Sequence, residues 1–393
     1  MAGLALGQLH ALVRTISSAM KRVLILSFSV VRNDPRVMRQ VTALEGRYGL
    51  TVAGFGTKPP GVFQFYNIEV TPNKLSAKTR NALLLLTNMN EEYYQRMPAV
   101  RKSVALFRTD VFDLVIANDL STVGAALIIA KGAPVLVDAH EYSPREFEDL
   151  RLWRLFHQRF NIYLCERYLP RVADMTTVCE GIAREYRQFG VDPAVVFNCP
   201  AFHELPVRRV RRDKIRLVHH GAPIPSRKLE LTLKMMKYLD ERYTLDLMLT
   251  EGNPTYLRRL RKLASGDGRI RFREAVPMDQ IVTTIHDYDV GVCYLPPVNF
   301  NYQMALPNKF FEYVQARLAV AIGPSPEMAS IARRYGFGIV SRSFDPCEMA
   351  RDLASRSPGE IEALKRRADV AATELNAERS YGLFAARVER LLN

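Results

Sequence analysis

The stretch RRVRRDKIRLVHHGAP, residues 208–223, decides how the chain is read. Six of its first nine residues are basic, the composition of a solvated connector. Ile215, Leu217 and Val218 then begin an apolar run that stops at Gly221 and Pro223, the pattern of a buried strand ending in a turn. A strand that starts afresh after a charged connector marks the beginning of a second folding unit.

The residues on either side share one rhythm. Upstream, RVLILSFSV, LTVAGFG, FDLVIAND, PVLVDAH and MTTVCE read as buried strands separated by helical patterns; downstream, IRLVHHGA is followed by YTLDLMLTEG, IRFREAV, YDVGVCYL, LAVAIGP and GFGIVS. Such alternation predicts an α/β fold with parallel sheets. Two Rossmann-like halves meet near residues 200–215, and the ligand cleft is expected between them at the carboxyl ends of the strands. The expected organisation is an amphipathic extension over 1–20, a Rossmann-like acceptor domain over 21–205, a donor domain over 206–375, and a C-terminal helix over 376–393 that returns to the first domain.

Composition narrows the classes. The 393 residues suffice for two cores, and 48% are hydrophobic. Lys and Arg outnumber Asp and Glu by 55 to 41, a net charge of +14 that suits anionic partners: nucleotides, nucleic acid or an acidic membrane. Five cysteines without C-x-x-C spacing argue against a disulfide framework or a zinc site and fit a reducing cytoplasm. No apolar run reaches the 18 or so residues of a spanning helix. Leu9, Leu12, Val13 and Ile16 share one helical face of the extension, but His10 and Arg14 break any signal-peptide core, and Met20 offers an alternative start.

Unusual residues collect where strands end. Asp34 and Arg36 follow the first strand, Asn118 and Asp119 another, and Asp138, His140 and Glu141 close VLVDAHE. In the second half Gly221, Arg227 and Lys228 follow LVHH, and ALPNKFFEYVQARLAVAIGPSPEM, residues 305–328, opens a helix. There Pro307 suits the first helical position, which leaves the N–H groups of Asn308, Lys309 and Phe310 pointing out of an anion-attracting terminus. Lys309 and Glu312 share a face three residues apart. A phosphate could meet the terminus and Lys309 while Glu312 accepts hydrogen bonds from a diol, or the two could be a surface pair on a packed helix.

NDPRVMRQVTAL, VDAHEYSPREF, TVCEGIAREYRQFG, FNCP, HHGAPIPSRKLEL and LPNKFFEYVQARLAVAIGPSPEM occur in an order that resembles group 1 glycosyltransferases, the retaining class with the GT-B fold that uses nucleotide sugars. The likeness runs from Met20 to the C-terminus. It implies a metal-independent, hexosyltransferase-type enzyme of cell-envelope glycan biosynthesis, with no cofactor beyond a nucleotide-diphosphate sugar and with a glycan or lipid-linked acceptor. It assigns Gly221, Arg227, Lys228, Asn308, Lys309 and Glu312 to the donor, with Glu312 on the ribose hydroxyls. His140 is assigned to the edge of the donor-sugar pocket. Asp119 and Glu141 become candidates for orienting acceptor hydroxyls, and Asp34 and Arg36 acceptor-side candidates. A lone histidine is more often structural, and each carboxylate could equally cap a helix or turn.

Three positions depart from the family pattern: Met304 stands where many relatives have glutamate, Lys228 where glycine is expected after the cation, and Arg317 where glycine is common. The DYD at 287–289 mimics a metal-binding D-x-D but precedes a strand, and GFGTKPPG at 54–61 lacks dinucleotide-fingerprint spacing. Two helical stretches, RLWRLFHQRFNIYL and KTRNALLLLTNMN, mix basic with apolar residues. They either pack on the sheet or touch an anionic membrane from its inner face. No nucleic-acid-binding signature accompanies them. Two rivals remain: a nucleotide-sugar epimerase on the same fold, and a non-catalytic GT-B binding protein.

Overall fold

A computed structural model of the chain describes residues 20–70 and 75–393. The amphipathic extension expected over 1–20 lies outside the described residues except for Met20. The chain divides into two compact units: one holds the residues up to Val178, Ile182–Val196 and Tyr381–Asn393, the other Cys179–Gly181 and Phe197–Ser380.

The first unit is built on seven strands: β1 (Arg22–Val30), β2 (Gly49–Phe55), β3 (Gln64–Asn67), β4 (Leu114–Asn118), β5 (Val135–Ala139), β6 (Asp174–Thr177) and β7 (Ala194–Val195). Their order is β3-β2-β1-β4-β5-β6-β7, with parallel pairing throughout. The apolar runs of the central strands are what burial on both faces requires; Val23 to Leu26 and Leu114 to Ala117 are fully enclosed. The sequence did not announce β3 and β7, because short edge strands bury little and carry no apolar run. The helix Leu120–Ala130 packs closely through Gly124, where a Cβ would stand 2.5 Å from the Tyr94 ring. The helix Ala377–Leu392 ends the chain, and Arg387 and Arg390 within it each donate to Asp174 at 2.7 Å.

The second unit repeats the plan with β8 (Ile215–Gly221), β9 (Tyr243–Leu249), β10 (Ile270–Arg273), β11 (Val290–Cys293), β12 (Ala319–Ile322) and β13 (Gly338–Val340), ordered β10-β9-β8-β11-β12-β13 and again parallel. Leu217, Leu245, Leu247, Val290, Val292, Ala319 and Ala321 form its core. The helix Asn308–Gln315 packs on β11 and β12. Gly291 admits the Tyr313 ring, which a Cβ would meet at 2.2 Å. These are two Rossmann-like α/β domains. In each, parallel strands bring every carboxyl end to one edge of the sheet, where turns leave side chains free for chemistry.

Candidate functional site

In the second unit the carboxyl end of β8 reads His219, His220, Gly221. Gly221 takes φ +116°, a backbone closed to most side chains, and a Cβ there would lie 3.2 Å from Lys309 Nζ and 3.9 Å from an Arg227 nitrogen. Glycine thus leaves room in which two cations converge. Arg227 ends the turn Pro225–Arg227, and Lys228 follows in the left-handed region at φ +53°.

Lys309 and Glu312 are not a surface pair: they are 7% and 4% exposed. Lys309 Nζ lies 3.2 Å from His219 Nε2, and His219 Nδ1 lies 2.8 Å from the Val292 carbonyl. Since only a protonated Nδ1 can donate to that carbonyl, Nε2 carries the lone pair and accepts from Lys309. Burial, reinforced by Lys309, holds His219 well below its ordinary range, and His220 is pushed down to about 3 for the same two reasons. Lys309 itself is lowered to about 8 by burial, with Arg227 adding repulsion. A buried ammonium beside a guanidinium is a site short of one anion.

Glu312 stands 3.3 Å from His220 Nε2. Pro307 precedes the helix as its cap residue, one position earlier than the sequence implied, and its carbonyl takes the Phe310 N–H at 2.9 Å. The open terminus is therefore made by Asn308 and Lys309; the Asn308 side chain accepts from Asn198 Nδ2 at 2.7 Å.

In the first unit the strand ends are acidic. Asp138 is fully buried at the end of β5, where Arg36 grips both its oxygens at 2.7 and 2.5 Å. Gln40 donates to it at 2.5 Å and Thr176 at 2.6 Å. Burial alone would raise the Asp138 carboxyl, but Arg36 outweighs it and the group is lowered. Arg36 also donates from Nη1 to the Val196 carbonyl at 2.8 Å, so all three of its nitrogens are engaged inside the unit. Asp34 caps the helix Pro35–Leu44, accepting from the Arg36 and Val37 N–H groups and from Ser29 Oγ.

His140 rests on this foundation. Its backbone N–H donates to Asp119 at 2.9 Å, its Nδ1 lies 3.4 Å from the same carboxylate, and its Nε2 is 3.2 Å from Asn118 Oδ1. Asp119 adopts φ +64°, ψ 158°, a strained conformation for a non-glycine residue and a frequent mark of a working position. Desolvation pushes its carboxyl up against the pull of His140. Glu141 is exposed, and its carbonyl accepts from Tyr186.

Residues 71–201 match the model of Glycosyltransferase Family 4. Over that third of its length the chain resembles family 4 glycosyltransferases, and its fold is GT-B. Among solved structures it is similar to the sucrose-phosphate synthase of Thermosynechococcus elongatus (TM-score 0.70, 12% identity, 95% of this chain and 99% of that one). HepE of Anabaena, in complex with UDP and glucose, gives a TM-score of 0.68 at 12% identity over 94% of this chain and 100% of its own. The UDP-forming α,α-trehalose-phosphate synthase of Burkholderia vietnamiensis gives 0.65 at 13% identity, covering 94% and 100%. No curated protein matches the sequence.

The departures from the glycosyltransferase pattern have local explanations. Met304 packs against Gly181, where a Cβ would meet its sulfur at 2.6 Å, and its carbonyl accepts from the Cys179 thiol. Arg317 holds the left-handed φ of +60° at which glycine is at home, and offsets the strain by donating to Asp369, Gln315 and His203. In the DYD, Asp289 is buried and paired with Lys365 at 3.3 Å, while Asp287 pairs with Arg208 at 2.9 Å.

Sequence reasoning does not single out His219 and His220, although the doubled histidine before Gly221 is visible, nor Glu146. The Glu146 carboxyl, in the turn after His140, is pushed up to about 8 by burial, with Glu141 and Asp119 adding repulsion. Nothing local in SPREF marks a carboxyl that keeps its proton near neutrality.

Proposed function

We propose that this protein is a retaining, metal-independent glycosyltransferase of hexosyltransferase type that moves a sugar from a nucleotide-diphosphate donor to a glycan or lipid-linked acceptor of the cell envelope, at the cytoplasmic face of a membrane. The observation that carries the reading is the buried, anion-deficient pair of Lys309 and Arg227 beside Gly221, with Glu312 one helical turn along. A leaving diphosphate gains charge as the sugar–oxygen bond breaks, and fixed cations aimed at it lower that barrier in the way a metal would. Arg227 can grip two oxygens at once while Lys309 supplies a point charge. Glu312 accepts from the ribose diol, with neutral His220 standing beside it at 3.3 Å. UDP is the base to test first, since HepE was solved with it and the trehalose-phosphate synthase is named for forming it.

His140, oriented by Asp119, stabilises the positive charge that builds on the sugar ring, and Asp119 and Glu141 orient the acceptor. Support for membrane contact comes from the first unit. Leu83, Leu86 and Met89 are exposed at the end of the helix Leu75–Leu86, and Leu150, Leu152 and Leu155 are exposed along a segment that contacts it. Lys78, Arg80, Arg151, Arg154 and Arg159, all exposed, provide the charge that an anionic lipid surface would meet.

Calorimetry with UDP and UDP-glucose tests the donor site, and proton NMR of the product anomer tests retention. Binding with turnover that persists in excess EDTA supports the reading; sugar interconversion with donor alone would make the protein an epimerase, and no nucleotide binding would make it a non-catalytic binder.

A further inference from the structure

Residues 208–216 carry charge that this reaction does not use, and they are more than a connector. Val210 and Ile215 are buried in the core of the second unit, and the Val210 N–H donates to Glu362 at 3.3 Å. Between these anchors the backbone turns, and Arg208, Arg209, Arg211, Lys214 and Arg216 line an open hollow of about 370 Å³. Ile215 opens β8 and Gly221 closes it, so the hollow stands at the opposite end of that strand from the donor cations, about 20 Å away at the usual rise per residue.

The hollow is short of anions. Asp287 answers Arg208 at 2.9 Å and Asp213 answers Arg211 at 2.6 Å. Asp289 answers Arg216 at 3.5 Å but is shared with Lys365. Glu362, the next carboxylate, is taken by Arg366 and by the Val210 N–H. Arg209 and Lys214 form no ion pair or hydrogen bond among the described residues; the carboxylates that feel them, Glu362 and Asp213, are each already bound by another arginine, so the wall keeps an excess of positive charge. The field reaches inward: burial lowers Lys365, and Arg216 and Arg208 lower it further.

We propose that this hollow binds a multiply charged phosphate group, a di- or triphosphate, at a second anion site separate from the donor site. Four guanidiniums to one ammonium favour planar, bidentate recognition of phosphate oxygens over a lone monovalent ion. An anchored backbone lets them converge without the ordering cost that a loose basic tail would meet.

The test uses the full chain, first saturated with UDP, titrated with inorganic tripolyphosphate in a calorimeter, with sodium sulfate at matched ionic strength as control. Wild type is expected to bind tripolyphosphate with UDP in place, and Arg209→Ser with Lys214→Ser to weaken it at least tenfold while UDP affinity and melting temperature stay unchanged. A second arm sediments the protein with vesicles carrying a prenyl diphosphate: a loss of sedimentation in the double variant assigns the phosphate to a lipid headgroup, and loss of tripolyphosphate binding alone assigns it to a soluble ligand. The proposal is overturned if UDP abolishes tripolyphosphate binding, if sulfate matches it, or if the variant behaves as wild type in both arms. Should the chain take no UDP, the variant comparison still decides, so failure of the donor reading and failure of this one remain distinct.

Discussion

The two units share a strand order yet end their strands in opposite chemistry. At the carboxyl edge of the first sheet, Asp119 and Asp138 flank one histidine, Asp34 acts on Asp119, and the cation among them, Arg36, is consumed in holding Asp138. At the same edge of the second sheet, Lys309 and Arg227 converge on a glycine, two histidines are held neutral, and Glu312 is the carboxylate beside them. One edge has its charge satisfied internally and presents an oriented imidazole; the other holds positive charge in reserve. Fold topology therefore supplies the position of a site, and the residues just past each strand supply its sign.

The sharpest way to break this contrast is to remove the internal satisfaction of the first edge. Asp138→Ala leaves the Arg36 guanidinium buried without its partner, and the first unit should lose about 3–5 kcal/mol of stability by chemical denaturation. Because the Asp138 carboxyl is lowered in the folded protein, its contribution is present above the unfolded value near 4 and fades as the pH falls through the folded one. If Asp138→Ala proved as stable as wild type, the strut role given to Arg36 would fail, and Arg36 would return as an acceptor contact.

His140→Ala should spare stability and cost rate. We expect single-turnover rates to fall by about 10²-fold with nucleotide affinity unchanged, since the imidazole matters as charge develops on the sugar. A melting temperature that drops sharply together with a normal rate per folded molecule would make His140 part of the fold instead.

Much of this contrast is legible in the order of the amino acids. The eleven apolar runs that read as strands correspond to eleven of the thirteen strands, because buried parallel strands must be nearly continuous in apolar residues. The pairing of Lys309 with Glu312 on one face follows from helical spacing. Their burial does not, since a lysine and a glutamate are ordinarily exposed, and it takes Gly221 and the β8 histidines, some ninety residues earlier, to enclose them. Arg36 reads as an acceptor-side residue for the same reason: its partner Asp138 is 102 positions away, and only the folded sheet brings the two together. Glu146 is invisible because a raised carboxyl is set by neighbours in space, which local sequence does not encode.

On the second edge, Glu312→Ala should weaken UDP by about thirtyfold, or ~2 kcal/mol, as expected for hydrogen bonds to a charged acceptor. The variant should also cease to distinguish UDP from 2′-deoxy-UDP. Retained discrimination would place the ribose elsewhere.

The smallest effect is the most specific to the charge held in reserve. Burial lowers Lys309 to about 8 in the ligand-free protein, whereas an unfolded lysine holds its proton to about 10.4. Between those values the unfolded chain binds more protons, so this group makes stability rise with pH there. Ligand binding runs the other way. A diphosphate stabilises the ammonium and raises its pKa, so binding near pH 8 must draw a proton from solution, and affinity should fall about tenfold between pH 7 and pH 9 as the free lysine discharges. Calorimetry in buffers of different ionisation enthalpy reads that proton directly: the apparent enthalpy at pH 8 should vary with buffer in wild type and not in Lys309→Met. Arg227 cannot imitate the result, because a guanidinium keeps its charge across the whole range. A buffer-independent enthalpy in wild type would mean that Lys309 is not the group that meets the diphosphate, and the positive edge would then rest on Arg227 and the Asn308 terminus alone.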